Sequence, residues 1–218
     1  MNRADRRFRQ SGYGGNSGLE LHVITHEKQE VEELLSVWPR LLPWVDYFHI
    51  RFKNRSLDQV GKIAARILAE TIIPPSSLVI NSYIQVVEQL GCGGVHLPER
   101  QTDWKEWKHR LPHVRWGRSV HSLESARQAE EDGLDYIIAG HIFPSPSKPG
   151  QNPMGLDKLA NMAKNVRIPV IAIGGIGVDQ VEEVMRAGAA GIAVISAVSG
   201  HPSPERVVQE LKRRGKHA

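Results

Sequence analysis

"IAIGGIGVDQVEEVMRAGAAGIAVISAV", from Ile171 to Val198, holds two apolar strand-like runs with one amphipathic helix between them. In "VDQVEEVMRAG" the residues Val178, Val181, Val184 and Met185 fall on one helical face, and Gly188 ends the helix. The flanking runs "VIAIGG" and "GIAVIS" are apolar on both faces, as in parallel strands covered by helices on either side. The first run ends in Gly174-Gly175 and the second in Ser196-Ala197. A strand, a helix and a second strand of this kind form one unit of an α/β fold.

The same rhythm extends outward in both directions. Apolar runs occur at 21–25, 47–52, 77–82, 94–98, 114–120, 136–142, 169–175 and 191–197. Helical periods lie between them, clearest in "LDQVGKIAARILAE", "SLESARQAEEDG" and the final "PERVVQELKRR". Eight such alternations predict a single (β/α)8 TIM barrel over residues 19–214, near the short end for that fold. An open doubly wound sheet would carry a glycine fingerprint after its first strand, and "LHVITHEKQE" has no glycine. Residues 1–18, rich in Gly, Ser, Asn and Arg, are expected to form a flexible basic tail.

The chain has 218 residues, 40% of them hydrophobic, enough for one sizeable core. Its single cysteine, Cys92, excludes an internal disulfide framework and suits a reducing, cytoplasmic compartment. No run of apolar residues reaches membrane-spanning length, and no apolar segment follows the basic N-terminus as in a secretory signal. The net charge of +4 and the pI near 9.3 come from two clusters. Arg3, Arg6, Arg7 and Arg9 crowd one end; Lys212, Arg213, Arg214 and Lys216 crowd the other. No nucleic-acid motif accompanies them and aromatics make up only 6%, so they read as solvated ends without a nucleic-acid or membrane partner. A homodimer is compatible with the sequence.

Barrels of this kind place their active site at the C-terminal strand ends. That rule selects Thr25, Arg51, Lys53, Asn81, His96, Ser119, His121, His141, Gly174, Gly175, Ser196 and Ala197. The set is polar and cationic and has no carboxylate, which suits an anionic small molecule. Glycines after the seventh strand let backbone amides approach a ligand, and the usual phosphate position in these barrels lies after strands seven and eight. The longest strand-to-helix connection, "GHIFPSPSKPGQNPMG", adds Ser145, Ser147 and Lys148 and is expected to act as a lid. His121 is the candidate acid/base. It precedes Ser122, a good helix N-cap, and a helix N-terminus disfavours positive charge, so a neutral imidazole able to take and return a proton is expected. His96 and His141, flanked by apolar residues, read as packing. The histidines lack ligand spacing and no Asp or Glu joins them, so neither metal nor cofactor is expected.

"GRSVHSLESA", "DYIIAGHIFPSPSKP", "IPVIAIGGI" and "AGAAGIAVISAV", in that order, resemble the thiamine phosphate synthase superfamily. "LHVITHE", "IRFK" and "LVINS" fit its earlier strands, so the resemblance covers about residues 19–212. It implies one of two activities. The synthases join a pyrimidine pyrophosphate to a thiazole phosphate with magnesium, and typically carry Asn-Asp after strand three and an acid in a "HLGQED"-like stretch after strand four. Here those places read Asn81-Ser82 and "HLPERQ", with Ser82 and Gln101 where the acids would stand. Magnesium takes hard oxygen ligands, usually carboxylates. The sister group, the thiazole tautomerases, aromatises a thiazole phosphate carboxylate without those acids. The resemblance therefore implies a tautomerase, an isomerase with His121 as proton shuttle, Arg51 and Lys53 facing the substrate's anions and Asn81 beside the ring. The alternatives are a thiamine phosphate synthase and a non-catalytic barrel that binds a phosphate ligand and regulates a partner.

Overall fold

The computed structural model describes residues 18–145 and 147–216. The arginine cluster of the N-terminal tail lies outside them. Eight parallel strands close into one barrel among the described residues: β1 (Glu20–Ile24), β2 (Tyr47–Ile50), β3 (Leu78–Asn81), β4 (Gly94–Leu97), β5 (Arg115–Val120), β6 (Tyr136–Gly140), β7 (Val170–Ile173) and β8 (Gly191–Val194). Pairing of Leu21 with Ile192 joins β1 to β8 and completes the ring. The helices alternate with the strands: α1 (Val31–Leu41), α2 (Leu57–Glu70), α3 (Ile84–Leu90), α4 (Lys105–Arg110), α5 (Leu123–Glu131), α6 (Leu156–Asn165), α7 (Val181–Arg186) and α8 (Pro204–Gly215). The chain is a (β/α)8 TIM barrel. Among the described residues, no helix is long and apolar enough to cross a membrane.

Two packing environments follow from the period-two alternation of the strands. Outward-pointing residues such as Phe48, Ile50, Val95, Ile137 and Ile192 bury against the helices and form the main core. Inward-pointing residues fill the barrel, and they divide in two. On the side of β6 to β8, Ile138, Ile171 and Ala193 join Ile24 and Tyr136 in a small apolar cluster. On the side of β1 to β5 the filling is polar, with His22, His49, Asn81 and His96 all buried.

The helices start and stop where local chemistry dictates. Ser56 caps α2 in a reciprocal box with Gln59, and Ser122 caps α5 with Ser125. The Ser122 hydroxyl accepts from the Ser125 amide at 3.0 Å. Ser122→Ala is expected to cost about 1 kcal/mol, which for a chain of this size lowers Tm by roughly 2–4 °C in a calorimetric scan. The expected helix after the seventh strand begins as a 3-10 turn at Val178–Gln180 and becomes α-helical only at Val181.

Cys92 is buried and free, and burial pushes its thiol up to about 12, so it is unreactive at neutral pH. The C-terminal basic cluster is largely paired within the fold. Lys212 donates to Asp46 and to the Leu19 carbonyl, and Arg213 and Arg214 pair with Glu210.

Candidate active site

The strand ends bring most of the predicted residues to one mouth of the barrel. At β7, Gly174 and Gly175 adopt φ of 100° and 68°, a left-handed region that favours glycine. They also allow the loop after β6 to pass closely. A Cβ on Gly174 would stand 2.3 Å from the His141 Cβ, and one on Gly175 would stand 2.5 Å from the Pro144 carbonyl oxygen. The loop is stitched there by the Phe143 amide, which donates to the Gly174 carbonyl at 3.0 Å.

After β8 no long helix begins at Ser196. A single turn follows instead, closed by the amides of Val198 and Ser199 on the Ile195 carbonyl, and α8 starts only at Pro204. One turn, rather than a helix N-terminus, therefore stands at the end of β8. The amides of Gly174, Gly175, Ser196 and Ala197 donate to no backbone carbonyl among the described residues. Four open donors at two adjacent strand ends suit an anion.

The neighbouring strands contribute side chains. Arg51 follows β2, is half-buried, and its guanidinium has no hydrogen bond or ion pair among the described residues. Burial pushes the guanidinium below its ordinary value, with the Glu27 charge opposing. Lys53 is exposed nearby, its amide held by Glu27. Thr25 is different: its hydroxyl donates to the Arg51 carbonyl and accepts from the Arg51 amide, both at 2.8 Å. It fastens β1 to β2 and has no donor left for a ligand. Ser145, Ser147 and Lys148 lie together on the loop after β6, with the Lys148 amide donating to the Ser145 carbonyl.

His121 follows β5 at the same mouth, and its partner was not visible as one in the sequence. Its Nδ1 stands 3.0 Å from Glu99 Oε2, and its amide donates to Glu99 Oε1 at 3.2 Å. Burial favours the neutral Glu99 carboxyl, but hydrogen bonds from Ser125 and His121 outweigh it and hold the group below its usual range. A carboxylate therefore does sit among the strand-end residues, which corrects the expectation of a set without one.

The residues at the two places that would supply acids for magnesium do not fit that ion. Ser82 has no carboxylate, and Gln101 donates through Nε2 to the Ser82 carbonyl at 3.2 Å while its Oε1 is buried without a partner. Glu99 is engaged by His121 and Ser125. Among the described residues no three His, Cys, Asp or Glu side chains converge on a metal position.

Sequence reasoning missed the polar interior. His96 has hydrogen-bond partners on both ring nitrogens: Tyr136 OH at 3.2 Å from Nδ1 and Ser119 Oγ at 2.9 Å from Nε2. It thereby ties the candidate Ser119 to the barrel floor. Burial pushes its imidazole down to about 3, so it is neutral. His22, His49, Glu20 and Arg115 complete the set. The signal was present in "ELHVI" and "YFHIRF", where Glu20 and His22, and Tyr47, His49 and Arg51, recur at every second position.

Comparison with known proteins adds a separate line. A family model described as thiamine monophosphate synthase matches residues 21–198. The chain is 34% identical over 200 residues to a thiamine-phosphate synthase of Pyrococcus furiosus, covering 89% of this chain and 94% of that one. It is 39% identical over 204 residues to a thiamine-phosphate synthase of a Roseiflexus species, covering 90% of this chain and 85% of the relative. A solved structure of thiamine phosphate pyrophosphorylase from Pyrococcus furiosus superposes with a TM-score of 0.74 at 32% identity, covering 91% of this chain and 96% of that one. These relatives carry the synthase name over most of their length, and this overturns the tautomerase expectation. The absence of two acids outweighed whole-chain similarity in that reading.

Proposed function

This chain belongs to the thiamine monophosphate synthase family, and on that footing we propose that it is a transferase forming thiamine phosphate from a pyrimidine diphosphate and a thiazole phosphate. The chain is an enzyme, and the relatives' shared name is the observation that carries the finer assignment. The reaction forms a bond between the two rings as the carbon–oxygen bond to diphosphate breaks, and diphosphate leaves with that electron pair. Both substrates are anionic small molecules, which suits the cationic and amide-lined mouth. Free, buried Cys92 supports a reducing, cytoplasmic setting.

In this proposal the open amides of Gly174, Gly175, Ser196 and Ala197 hold the thiazole phosphate. Arg51, Lys53 and Lys148 face the diphosphate, where positive charge stabilises the negative charge that develops as it departs. Ser119, Ser145 and Ser147 offer hydroxyl donors and Asn81 an amide. Thr25 contributes by holding Arg51 in place. No step is routed through magnesium, because the residues at 82 and 101 do not form its ligand set.

His121, oriented by Glu99, gives a proton to an oxygen of the departing diphosphate and regains one from solvent after the products leave. His121→Gln keeps the polar shape but cannot exchange a proton. It is expected to lower kcat by about a hundredfold, within the usual range for lost proton transfer, with KM little changed. Full turnover in that variant would remove His121 from the chemistry. The reading as a whole is tested by incubating the purified chain with both substrates and magnesium, then resolving products by chromatography. Stoichiometric thiamine phosphate and diphosphate are expected. If both substrates persist unchanged, the transferase assignment fails.

A further inference from the structure

A file of polar side chains crosses the barrel from its floor to its mouth. Arg115, which opens β5, donates to the Glu20 carboxylate at 2.8 and 3.3 Å. Glu20 Oε1 lies 2.7 Å from His22 Nε2, and His22 Nδ1 lies 2.7 Å from His49 Nε2. His49 Nδ1 lies 3.2 Å from the side-chain amide of Asn81, which closes β3 at the mouth. Both imidazoles are fully buried. His96 does not enter the file: its ring meets that of His49 edge-on at 5.6 Å and its own nitrogens bond elsewhere.

The file has a direction because Glu20 only accepts. Burial works to raise the Glu20 carboxyl, but the hydrogen bonds from His22 and Arg115 and the Arg115 charge outweigh it and keep the group ionised at neutral pH. The ionised carboxylate requires a hydrogen on His22 Nε2. Burial pushes His22 below its ordinary value, against the pull of Glu20, and pushes His49 well below, so each ring carries one hydrogen at neutral pH. His22 Nδ1 is then a lone pair, and His49 Nε2 must donate to it. That leaves a second lone pair, on His49 Nδ1, facing Asn81. With Asn81 Oδ1 in that place, two acceptors stand 3.2 Å apart with no hydrogen between them. The oxygen and nitrogen of a side-chain amide are distinguished by their hydrogen bonds, and a half-turn of the amide exchanges them.

We infer that Glu20, acting through His22 and His49, fixes the Asn81 amide with Nδ2 donating to His49 and Oδ1 turned to the mouth. His49 is then a positioning residue. The mouth acquires a hydrogen-bond acceptor at β3, opposite in character to the open amides at β7 and β8. A phosphate is repelled there, and the part of the ligand lying at β3 is one that bears a donor, such as an amino group or a protonated ring nitrogen. Two bound groups of unlike polarity are thereby sorted to different sides of the mouth. Only this last consequence rests on the mouth being the binding site of the proposed transferase.

The test is a long-range nitrogen–proton correlation spectrum of the whole protein labelled with 15N-histidine, at neutral pH and without substrate, with assignments from single His→Gln variants. His22 and His49 are both expected to show hydrogen on Nε2 and a bare Nδ1. Hydrogen on His49 Nδ1, or double protonation of either ring, would overturn the inference. Glu20→Gln provides the second measurement, since an amide can donate as well as accept. Loss of the single tautomer at both rings is expected; unchanged tautomers in that variant would show that Glu20 does not set the direction. The wild-type spectrum decides the matter even if Glu20→Gln fails to fold, and it stands whether or not thiamine phosphate is formed.

Discussion

Arg51→Ala is expected to lower kcat/KM for thiamine phosphate formation by about a hundredfold or more while leaving the fold intact. A hundredfold corresponds to roughly 2.7 kcal/mol of lost transition-state stabilisation. The argument begins with what Arg51 lacks. Half-buried guanidinium groups are normally paired, because taking a cation partly out of water is unfavourable. Arg51 has no side-chain partner among the described residues, yet its backbone is fixed on both sides by the Thr25 hydroxyl. A cation held in place with the Glu27 charge nearby but no carboxylate hydrogen-bonded to it keeps its donors free for an anionic ligand. Stability should fall only slightly, since the guanidinium makes no hydrogen bond or ion pair among the described residues and only its attraction to Glu27 is lost. Arg51→Lys should recover part of the loss, since an ammonium keeps the charge but not the two-pronged geometry. Steady-state kinetics with each substrate varied checks this, and activity within threefold of wild type would take Arg51 out of the site.

Gly117→Ala is expected to destabilise the barrel strongly. A Cβ there would stand 2.1 Å from Tyr136 Cζ and 2.3 Å from Cε1, because the phenol ring lies across the glycine. Tyr136 is buried and cannot swing into solvent. Overpacking of this severity costs about 3 kcal/mol, or roughly 6–12 °C in Tm for a chain of this length. The damage should also reach the mouth. Tyr136 OH holds His96 Nδ1, and His96 Nε2 holds Ser119. Replacing Tyr136 with leucine in the same chain should restore part of the stability, and denaturant unfolding of the single and double variants measures it. A single-variant loss below about 0.5 kcal/mol would mean that the ring has room to move.

How much of this was legible depends on which forces act locally. The rhythm of strands and helices was readable because parallel strands are covered by helices outside and by the barrel filling inside, so "VIAIGG" and "GIAVIS" stand out as apolar runs. Ser122 was readable as a cap because its partner is three residues away. The polar filling was not. Period-two alternation separates two faces of a strand but does not say which points into the barrel, and a buried His22 looks like an exposed one until Glu20, His49 and Arg115 are brought around it from three strands. Glu99 was passed over for the same reason: it lies 22 residues from His121 and meets it only because β4 pairs with β5. Ser82 and Gln101 stand where acids would be expected, but the step from there to an isomerase was not sound. Two positions describe one ion's ligands, whereas 34–39% identity over some 200 residues describes the whole reaction vessel.

The most direct measurement is a crystal structure of the protein with a thiazole phosphate bound. The account predicts the phosphate at the mouth, its oxygens within about 3 Å of the amide nitrogens at the ends of β7 and β8, with the thiazole ring directed toward His121 and Arg51. A phosphate bound away from Gly174, Gly175, Ser196 and Ala197, or held to the chain only through a metal ion, would contradict it.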